Sequence, residues 1–355
     1  MVETNHKHPG RTLILGTGLL AQELVREMRL RHRSDYMIVG IISEPAPVQD
    51  AFADIAVTGT LADITRVIAE THPARIVVAL DTNRGNMPVN QLIEARICRG
   101  ILIEDGQQLY ERLTGKIAIE SITPSSVIFS NDYRPGAVEL GGARLMSVIL
   151  ALIGLICVIP LMVLVAAAIK IDSRGPVLFF QDRLGLGDRR FKLFKFRTMH
   201  SETVQTSEWV RDNGHRITRV GRWLRKFRID ELPQFFNVLA GDMNIVGPRP
   251  HPASNFELLV LVARNTPDSG RPVPYYSLRS MVRPGITGWA QVRYKYANDI
   301  NEEIEKLRFD LYYIKHYSLW LDIKIMFETV KVVLLGRESA ETATAEPDKM
   351  ETVRR

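Results

Sequence analysis

Two adjacent carboxylates, Asp230 and Glu231, follow the cations Arg222, Arg225, Lys226 and Arg228 and precede a rigid turn, Gly247-Pro248-Arg249-Pro250. Guanidinium and ammonium groups bind phosphate oxygens, one carboxylate can hold a divalent cation, and its neighbour is then free to attack as a nucleophile. The set suits phosphate chemistry. Taken locally, the same residues also read as an ordinary capped helix. Asp230 would be the N-cap, Glu231 and Pro233 would lie in the first turn, and Leu232, Phe235, Phe236 and Leu239 would form the apolar face. The surrounding chain has to decide between the two.

At 355 residues the chain is long enough for about two domains. A formal charge of +6, with Lys and Arg concentrated after residue 170, fits an anionic partner: nucleic acid, a phosphate substrate or an anionic membrane surface. Two cysteines, Cys98 and Cys157, make no disulfide framework and have no metal-ligand spacing, which points to a reducing compartment. The start, MVETNHKHPGRTL, has no apolar signal region, so the first half is expected in the cytosol.

Residues 1–125 read as a module of alternating strands and helices. Strands are expected at Thr12 to Leu15, Tyr36 to Ile42, Arg75 to Leu80 and Ile101 to Glu104, with helices after Gly18, at Leu61 to Glu70 and at Val89 to Arg99. Such alternation implies a doubly wound, Rossmann-like parallel sheet in an α/β chain. Gly16 and Gly18 open the first helix, where a cofactor pyrophosphate could sit, with Glu44 placed to hold a ribose. Tight strand-to-helix turns need glycine without any ligand, so a module with no bound cofactor explains them equally. Residues 126–142, rich in Gly and Pro, read as a linker.

Residues 143–171 enclose Leu145 to Ile169, a run without a charge between Arg144 and Lys170. A straight helix of that length reaches roughly 37 Å, enough for a bilayer core of about 30 Å. Pro160 divides it into arms of roughly 22 Å and 13 Å, neither of which spans alone. A re-entrant helix-hairpin is therefore expected, with the soluble parts on one face, because the first half lacks a signal and the second is basic. A single kinked crossing is the alternative.

In residues 172–337, Phe191 to Arg197 alternates aromatic and cationic side chains, a pattern that also grips single-stranded nucleic acid. A nucleic-acid binder has no use for the apolar segment upstream, whereas a phosphate-bearing substrate at a membrane uses both. Four stretches then carry a resemblance: KFRTM at 195–199, DELPQFFNVLAGDMNIVGPRP at 230–250, RPGITGWAQV at 283–292 and DLYYIKHYSLWLDIKIM at 310–326. Together they resemble the bacterial sugar transferase family, monotopic polyprenol-phosphate phosphoglycosyl transferases, over residues 142–336. The first module is similar, more loosely, to the Rossmann-like module of exopolysaccharide-type members. Those members usually carry a bundle of transmembrane helices ahead of it. None stands there here, so any function of that bundle is expected to be absent or supplied elsewhere.

The resemblance implies transfer of a sugar-1-phosphate from a UDP-sugar to undecaprenyl phosphate, with release of UMP, on the cytoplasmic face of a bacterial inner membrane. It implies a mainly helical α+β catalytic domain. Asp230 matches the family's nucleophile and Glu231 the glutamate that supports a magnesium ion, Mg2+, held by the pair. Lys195, Arg225 and Arg249 match its basic residues and Asp310 a carboxylate near the site. After Gln291-Val292 this chain reads RYKYAND where many relatives have an Asn-Gly-Arg turn, and Arg264 to Arg279 is an unusual loop, so the sugar is left open. A homo-oligomer stays open too. A non-catalytic, membrane-docked scaffold that senses a nucleotide or sugar is the alternative from another class. Leu319 to Leu335 is too charged to span and reads as an interfacial or core-packed helix. Residues 338–355 read as a mobile tail.

Overall fold

The computed structural model describes residues 10–32, 35–44, 52, 55, 57–80, 87–122, 133–200, 216–252, 276–294 and 300–335. Residues 126–132 of the expected linker, most of the Arg264 to Arg279 loop, residues 295–299 and the expected tail lie outside them. The chain divides into two compact units, Met1–Ser130 and Asn131–Arg355.

The first unit is a parallel sheet of β1 (Gly10–Leu15), β2 (Tyr36–Ser43), β3 (Val57–Thr60), β4 (Arg75–Val78) and β5 (Leu102–Asp105), in the order β3-β2-β1-β4-β5. Helices α1 (Leu19–Arg31), α2 (Ile64–Thr71), α3 (Val89–Arg99) and α4 (Gly106–Thr114) cover it. Successive strand residues face opposite layers. Ile14, Ile41 and Val77 pack with α1 and α4, while Leu13, Leu15, Ile42 and Ile76 pack with α2 and α3. The expected doubly wound sheet is present. β3 and α4 went unpredicted, because β3 is a four-residue strand with half-buried residues throughout.

Gly16 has a steric reason to be glycine. Its φ is +117°, and a Cβ there would lie 2.2 Å from the Ala79 carbonyl oxygen. Its N–H donates to the Ile42 carbonyl at 2.9 Å. Gly18 is the N-cap of α1 in extended conformation.

The second unit starts with one long helix, α5 (Ala137–Asp172). Two expectations change here. The linker ends earlier, since Gly141 and Gly142 lie inside the helix, and Pro160 lies inside it as well instead of breaking it into a hairpin. The packed face explains both differences. Ala143, Ser147, Ala151 and Leu155 are buried before Pro160, and Val165 and Ile169 after it, so tertiary contact holds the backbone helical through a residue that would otherwise end it.

Polar anchors fasten both ends of α5. Arg144 donates to the Met243 carbonyl at 2.9 Å, and Ser147 accepts from the Ile245 N–H at 3.1 Å. At the other end Asp172 accepts from the Val220 N–H at 3.0 Å.

Around α5 stand the antiparallel hairpin β6 (Leu178–Leu184) and β7 (Arg190–Phe196), α6 (Arg219–Lys226), α7 (Gln234–Ala240), the parallel pair β8 (Asn244–Val246) and β9 (Gly285–Thr287), α8 (Trp289–Arg293), α9 (Ile300–Lys315) and α10 (Leu319–Leu335). Ala151 joins Leu193, Val238 and Met243 in one apolar cluster, and Val165 and Ile169 join Phe196 and Leu224 in another. Between α9 and α10, Tyr313 donates to Asp322 at 2.7 Å, with both groups buried.

Two outcomes follow from these contacts. Gly16→Ala should cost about 3 kcal/mol in denaturant unfolding, against about 1 kcal/mol for Gly100→Ala, whose φ is also positive but whose surroundings are open. Burial pushes the Asp322 carboxyl up to about 7, although the hydrogen bond from Tyr313 pulls the other way. Between roughly pH 4 and pH 7 the folded chain therefore holds a proton that the unfolded chain has released. This group's contribution is complete below pH 4 and is lost as pH rises through 7, by up to about 4 kcal/mol. Unfolding of Asp322→Asn measured across that window should show a flatter slope than the parent chain.

Candidate active site

The carboxylate pair sits on a short 3-10 turn, Ile229–Glu231, between α6 and α7. The capped-helix reading of Asp230 fails, since α7 begins later, at Gln234, and no side chain caps it. α6 is capped instead by Thr218, which accepts from the Gly221 N–H at 2.9 Å, and by Asp172 from α5. The chain leaves α6 through Arg228, whose φ of +54° bends it into the 3-10 turn. Left-handed backbone on a non-glycine residue costs about 1–2 kcal/mol. The Arg228 side chain returns to Glu231, its Nη1 3.6 Å from Oε2.

Glu231 is buried, and cations from two distant segments meet it. Lys195 from β7 reaches Oε1 with Nζ at 3.2 Å, and Arg249 reaches the same oxygen with Nη2 at 2.9 Å. Burial alone would push this carboxyl up, but Arg249, Lys195 and Arg228 outweigh it and hold it far below the usual carboxylate range. Asp230 responds the other way. Burial and the neighbouring Glu231 raise it above its ordinary value, while Lys195, Arg225 and Arg249 restrain the rise. Burial also lowers Lys195, against the pull of Glu231. Two adjacent carboxylates are thus driven apart: one held as a fixed anion, the other more basic than a free aspartate.

Other side chains position this set. Arg225 donates through Nε to the Thr198 hydroxyl at 3.0 Å, which places it beside Asp230. Asn237, fully buried on α7, accepts from the Phe194 N–H at 3.0 Å and donates to the Lys192 carbonyl at 2.8 Å, so β7 and its Lys195 are locked to the helix that follows the pair. The turn bearing Arg249 is held from both sides. Gly247 donates to the Thr287 carbonyl and Gly285 to the Pro248 carbonyl, each at 2.9 Å. Arg183 donates to the Pro250 carbonyl at 3.0 Å and Arg279 to the Arg249 carbonyl at 3.3 Å.

Of the residues expected at the site, Asp230, Glu231, Lys195, Arg225 and Arg249 come together. Asp310 does not join them: it is buried on α9 and pairs with Arg279 at 2.6 Å. Burial pushes Asp310 up to about 6, with Arg279 opposing. Its link to the site runs through Arg279 to the Arg249 backbone. Gly16 and Gly18 belong to the first unit. Arg228, read from the sequence as one of the cations before the pair, meets Glu231 itself, whereas Asn237, Arg183 and Arg279 were missed. Only Asn237 left a mark in the sequence, a polar residue at an apolar helical position; the others depend on chain geometry.

Among the described residues no group of three or more His, Cys, Asp and Glu side chains converges as a ready-made metal cage. Magnesium does not require one, since it usually takes one or two carboxylates and fills its shell with water and substrate phosphate. The donor set fits that mode. Oε1 of Glu231 is taken by Lys195 and Arg249, whereas Arg228 stands 3.6 Å from Oε2, beyond hydrogen-bond distance.

A sequence profile described as bacterial sugar transferase matches residues 139–336. The UDP-N-acetylgalactosamine-undecaprenyl-phosphate N-acetylgalactosaminephosphotransferase of Aeromonas hydrophila is 40% identical over 231 residues, 65% of this chain and 52% of its own. The undecaprenyl-phosphate glucose phosphotransferase of Komagataeibacter xylinus is 31% identical over 337 residues, 92% of this chain and 59% of its own. The UDP-glucose:undecaprenyl-phosphate glucose-1-phosphate transferase of Escherichia coli is 33% identical over 338 residues, 92% of this chain and 68% of its own. The chain spans about half the length of the first two of these relatives. With the match running from the start of α5 to the end of α10, the chain belongs to the bacterial sugar transferase family.

Proposed function

We propose that this chain transfers a sugar-1-phosphate from a UDP-sugar to undecaprenyl phosphate, releasing UMP, as an initiating step of exopolysaccharide or related glycan assembly. The observation that carries the reading is the geometry of the pair: Asp230 on a short turn beside a buried Glu231 that gathers three cations. The relatives' names supply the substrate class, with UDP-N-acetylgalactosamine and UDP-glucose as the donors they print.

In this reading the donor's pyrophosphate lies against Lys195, Arg225 and Arg249, whose charges offset its own before any bond changes. A recess beside Arg249, lined by both apolar and polar side chains, among them Leu184, Pro248, His251, Tyr276, Arg279 and Val282, lies next to this set. An Asp230 oxygen attacks the phosphorus next to the sugar. The bond from that phosphorus to the UMP oxygen breaks, and UMP leaves with the electron pair. An oxygen of the lipid phosphate then attacks the aspartyl-phosphosugar, and Asp230 departs as the free carboxylate. Magnesium, when bound at Glu231 and Asp230, supplies Lewis-acid neutralisation of phosphate charge. Arg249, set between two prolines, loses little conformational freedom in meeting the pyrophosphate.

The apolar outer face of α5 brings this chemistry to lipid. Ile156, Val163, Leu164 and Ile171 are among its exposed side chains, and leaving four such groups in water forfeits roughly 6–12 kcal/mol. Because Arg144 and Asp172 fasten both ends of α5 to one unit, the helix enters the bilayer from one side and does not carry the chain across. The catalytic unit then stays on the cytoplasmic face of the inner membrane.

Four measurements test the reading. Mass spectrometry after UDP-sugar alone should find a phosphosugar adduct on Asp230; no adduct under conditions that support turnover would sink the covalent route. UMP release from a panel of UDP-sugars with undecaprenyl phosphate and magnesium should vanish in Asp230→Asn, whereas a scaffold would release none in either chain. Arg249→Ala should lower kcat/KM by at least about 100-fold, since it leaves buried Glu231 short of a charge partner as well as removing a phosphate contact. For topology, a cysteine introduced by Arg174→Cys and one near residue 10 should both resist an impermeant external thiol reagent.

A further inference from the structure

The hairpin of β6 and β7 carries two exposed rings to which the chemistry at Asp230 gives no role. Phe179 is 46% exposed and Phe180 51% exposed. Both follow α5 closely, since α5 ends at Asp172 and β6 begins at Leu178. Arg197, just after β7, ties the hairpin to that end of the helix by donating to the Arg174 carbonyl at 3.0 Å and to the Ser173 carbonyl at 2.8 Å.

The register of the hairpin gives each ring its place. Phe179 stands directly opposite Lys195, and Phe180 stands opposite Phe194. Opposed side chains of an antiparallel pair share a face, and consecutive residues take opposite faces. Phe179 therefore lies beside the side chain whose ammonium reaches Glu231. Phe180 lies on the other face, edge-on to Phe194 with centroids 5.3 Å apart. Leu178 and Phe196 share that face and pack against Val165 and Ile169 of α5. At Phe179 and Phe180 the outer edge of β6 pairs with no other strand among the described residues, because the bridge to Pro252 forms at Arg183 and the bond to the His251 carbonyl at Leu184. The two rings thus make one apolar rim around an open edge, with α5 on one face and Lys195 on the other.

The two ends of β6 offer different chemistry. Leu184, about 17 Å along the strand from Phe179, borders the recess that also holds His251, Arg279 and Ser280. At Phe179 a cation has a bare ring for a neighbour. A UDP-sugar is rich in polar groups on both sides of its pyrophosphate, whereas a polyprenyl phosphate turns apolar immediately beyond its phosphate. A ligand that is anionic at Lys195 and apolar at Phe179 matches the second.

We propose that Phe179 and Phe180 form the binding site for the first isoprene units of the acceptor lipid, with Phe179 holding the unit next to the phosphate. This rests on the reading that a polyprenyl phosphate is the acceptor, and it adds the route by which that chain leaves the bilayer. The chain follows the outer face of α5, passes Phe180, crosses the open edge of β6 and presents its phosphate beside Lys195. Contact between isoprene and ring removes apolar surface of both from water. Phe179 is then a positioning residue for the lipid and has no part in binding the donor.

The test uses the full chain in detergent micelles, with UMP release followed from the UDP-sugar that the parent chain uses best in a panel. Phe179→Ala should raise KM for undecaprenyl phosphate about tenfold and leave KM for the UDP-sugar unchanged, and Phe179→Leu should keep most of the parent's lipid KM. A second measurement needs no variant. A polyprenyl phosphate with a diazirine on its first isoprene unit should, on irradiation of the parent chain, attach within residues 178–184, and one with the diazirine on its last unit should attach to α5. A raised KM for the UDP-sugar in place of the lipid would overturn the proposal in favour of a base stacked on the ring. A fall in kcat with both KM values unchanged would overturn it in favour of a ring that merely supports Lys195. Attachment of the first-unit probe only outside β6 would overturn it even where Phe179→Ala melts at a lower temperature than the parent. No UMP release by the parent from any UDP-sugar with undecaprenyl phosphate would overturn the reaction itself, and the proposal with it.

Discussion

One carboxylate, Glu231, holds the second unit's chemistry together. A buried charge survives only with partners, and breaking such a set strands what remains. Here the partners arrive from β7, from the turn after β8 and from the left-handed residue three positions upstream. Without the anion, Lys195, Arg228 and Arg249 would lose their shared partner and repel one another. With it, Lys195 and Arg249 are held in place by the fold itself. Asn237, Arg183 and Arg279 serve that arrangement at one remove, each fixing backbone that carries a cation.

The same carboxylate separates the roles within the pair. Adjacent acids of identical chemistry would titrate alike in water, yet Glu231 takes most of the cationic field while Asp230 is left with burial and a negative neighbour. Burial first, and then the neighbouring Glu231, raise Asp230 above its ordinary value. A chain with a single carboxylate at this turn would gain the cations and lose the contrast.

Much of this was legible in the residues because short-range chemistry wrote it there. The acidic pair, the basic residues around it and the proline-flanked Arg249 are local, and so is the alternation that announces the parallel sheet. What escaped was tertiary. Gly141 and Gly142 look like a linker until α5 is seen to run through both, with Leu319 of α10 against Gly142, and Pro160 looks like a break until the buried face is followed past it. Arg228 reads as one more cation, since nothing in its spelling tells that its backbone is left-handed. Asp310 belongs to a motif, but nothing in the motif tells that it lies buried against Arg279. β3 escaped for a simpler reason: four half-buried residues make too short a pattern to rise above a loop.

The anchors of α5 also set a schedule for making the protein. Arg144 and Ser147 find their partners, Met243 and Ile245, almost a hundred residues downstream. At 5–20 residues per second, synthesis of that stretch takes roughly 5 to 20 s. Throughout that interval α5, the one helix among the described residues long and apolar enough to cross a membrane, has its docking face uncovered, with a guanidinium and a hydroxyl on that face unsatisfied. Lipid alone suits the outer face but not the inner one. The nascent helix therefore needs a temporary custodian for its inner side, at the membrane surface or in an insertion machine, until α7 and β8 exist to receive it.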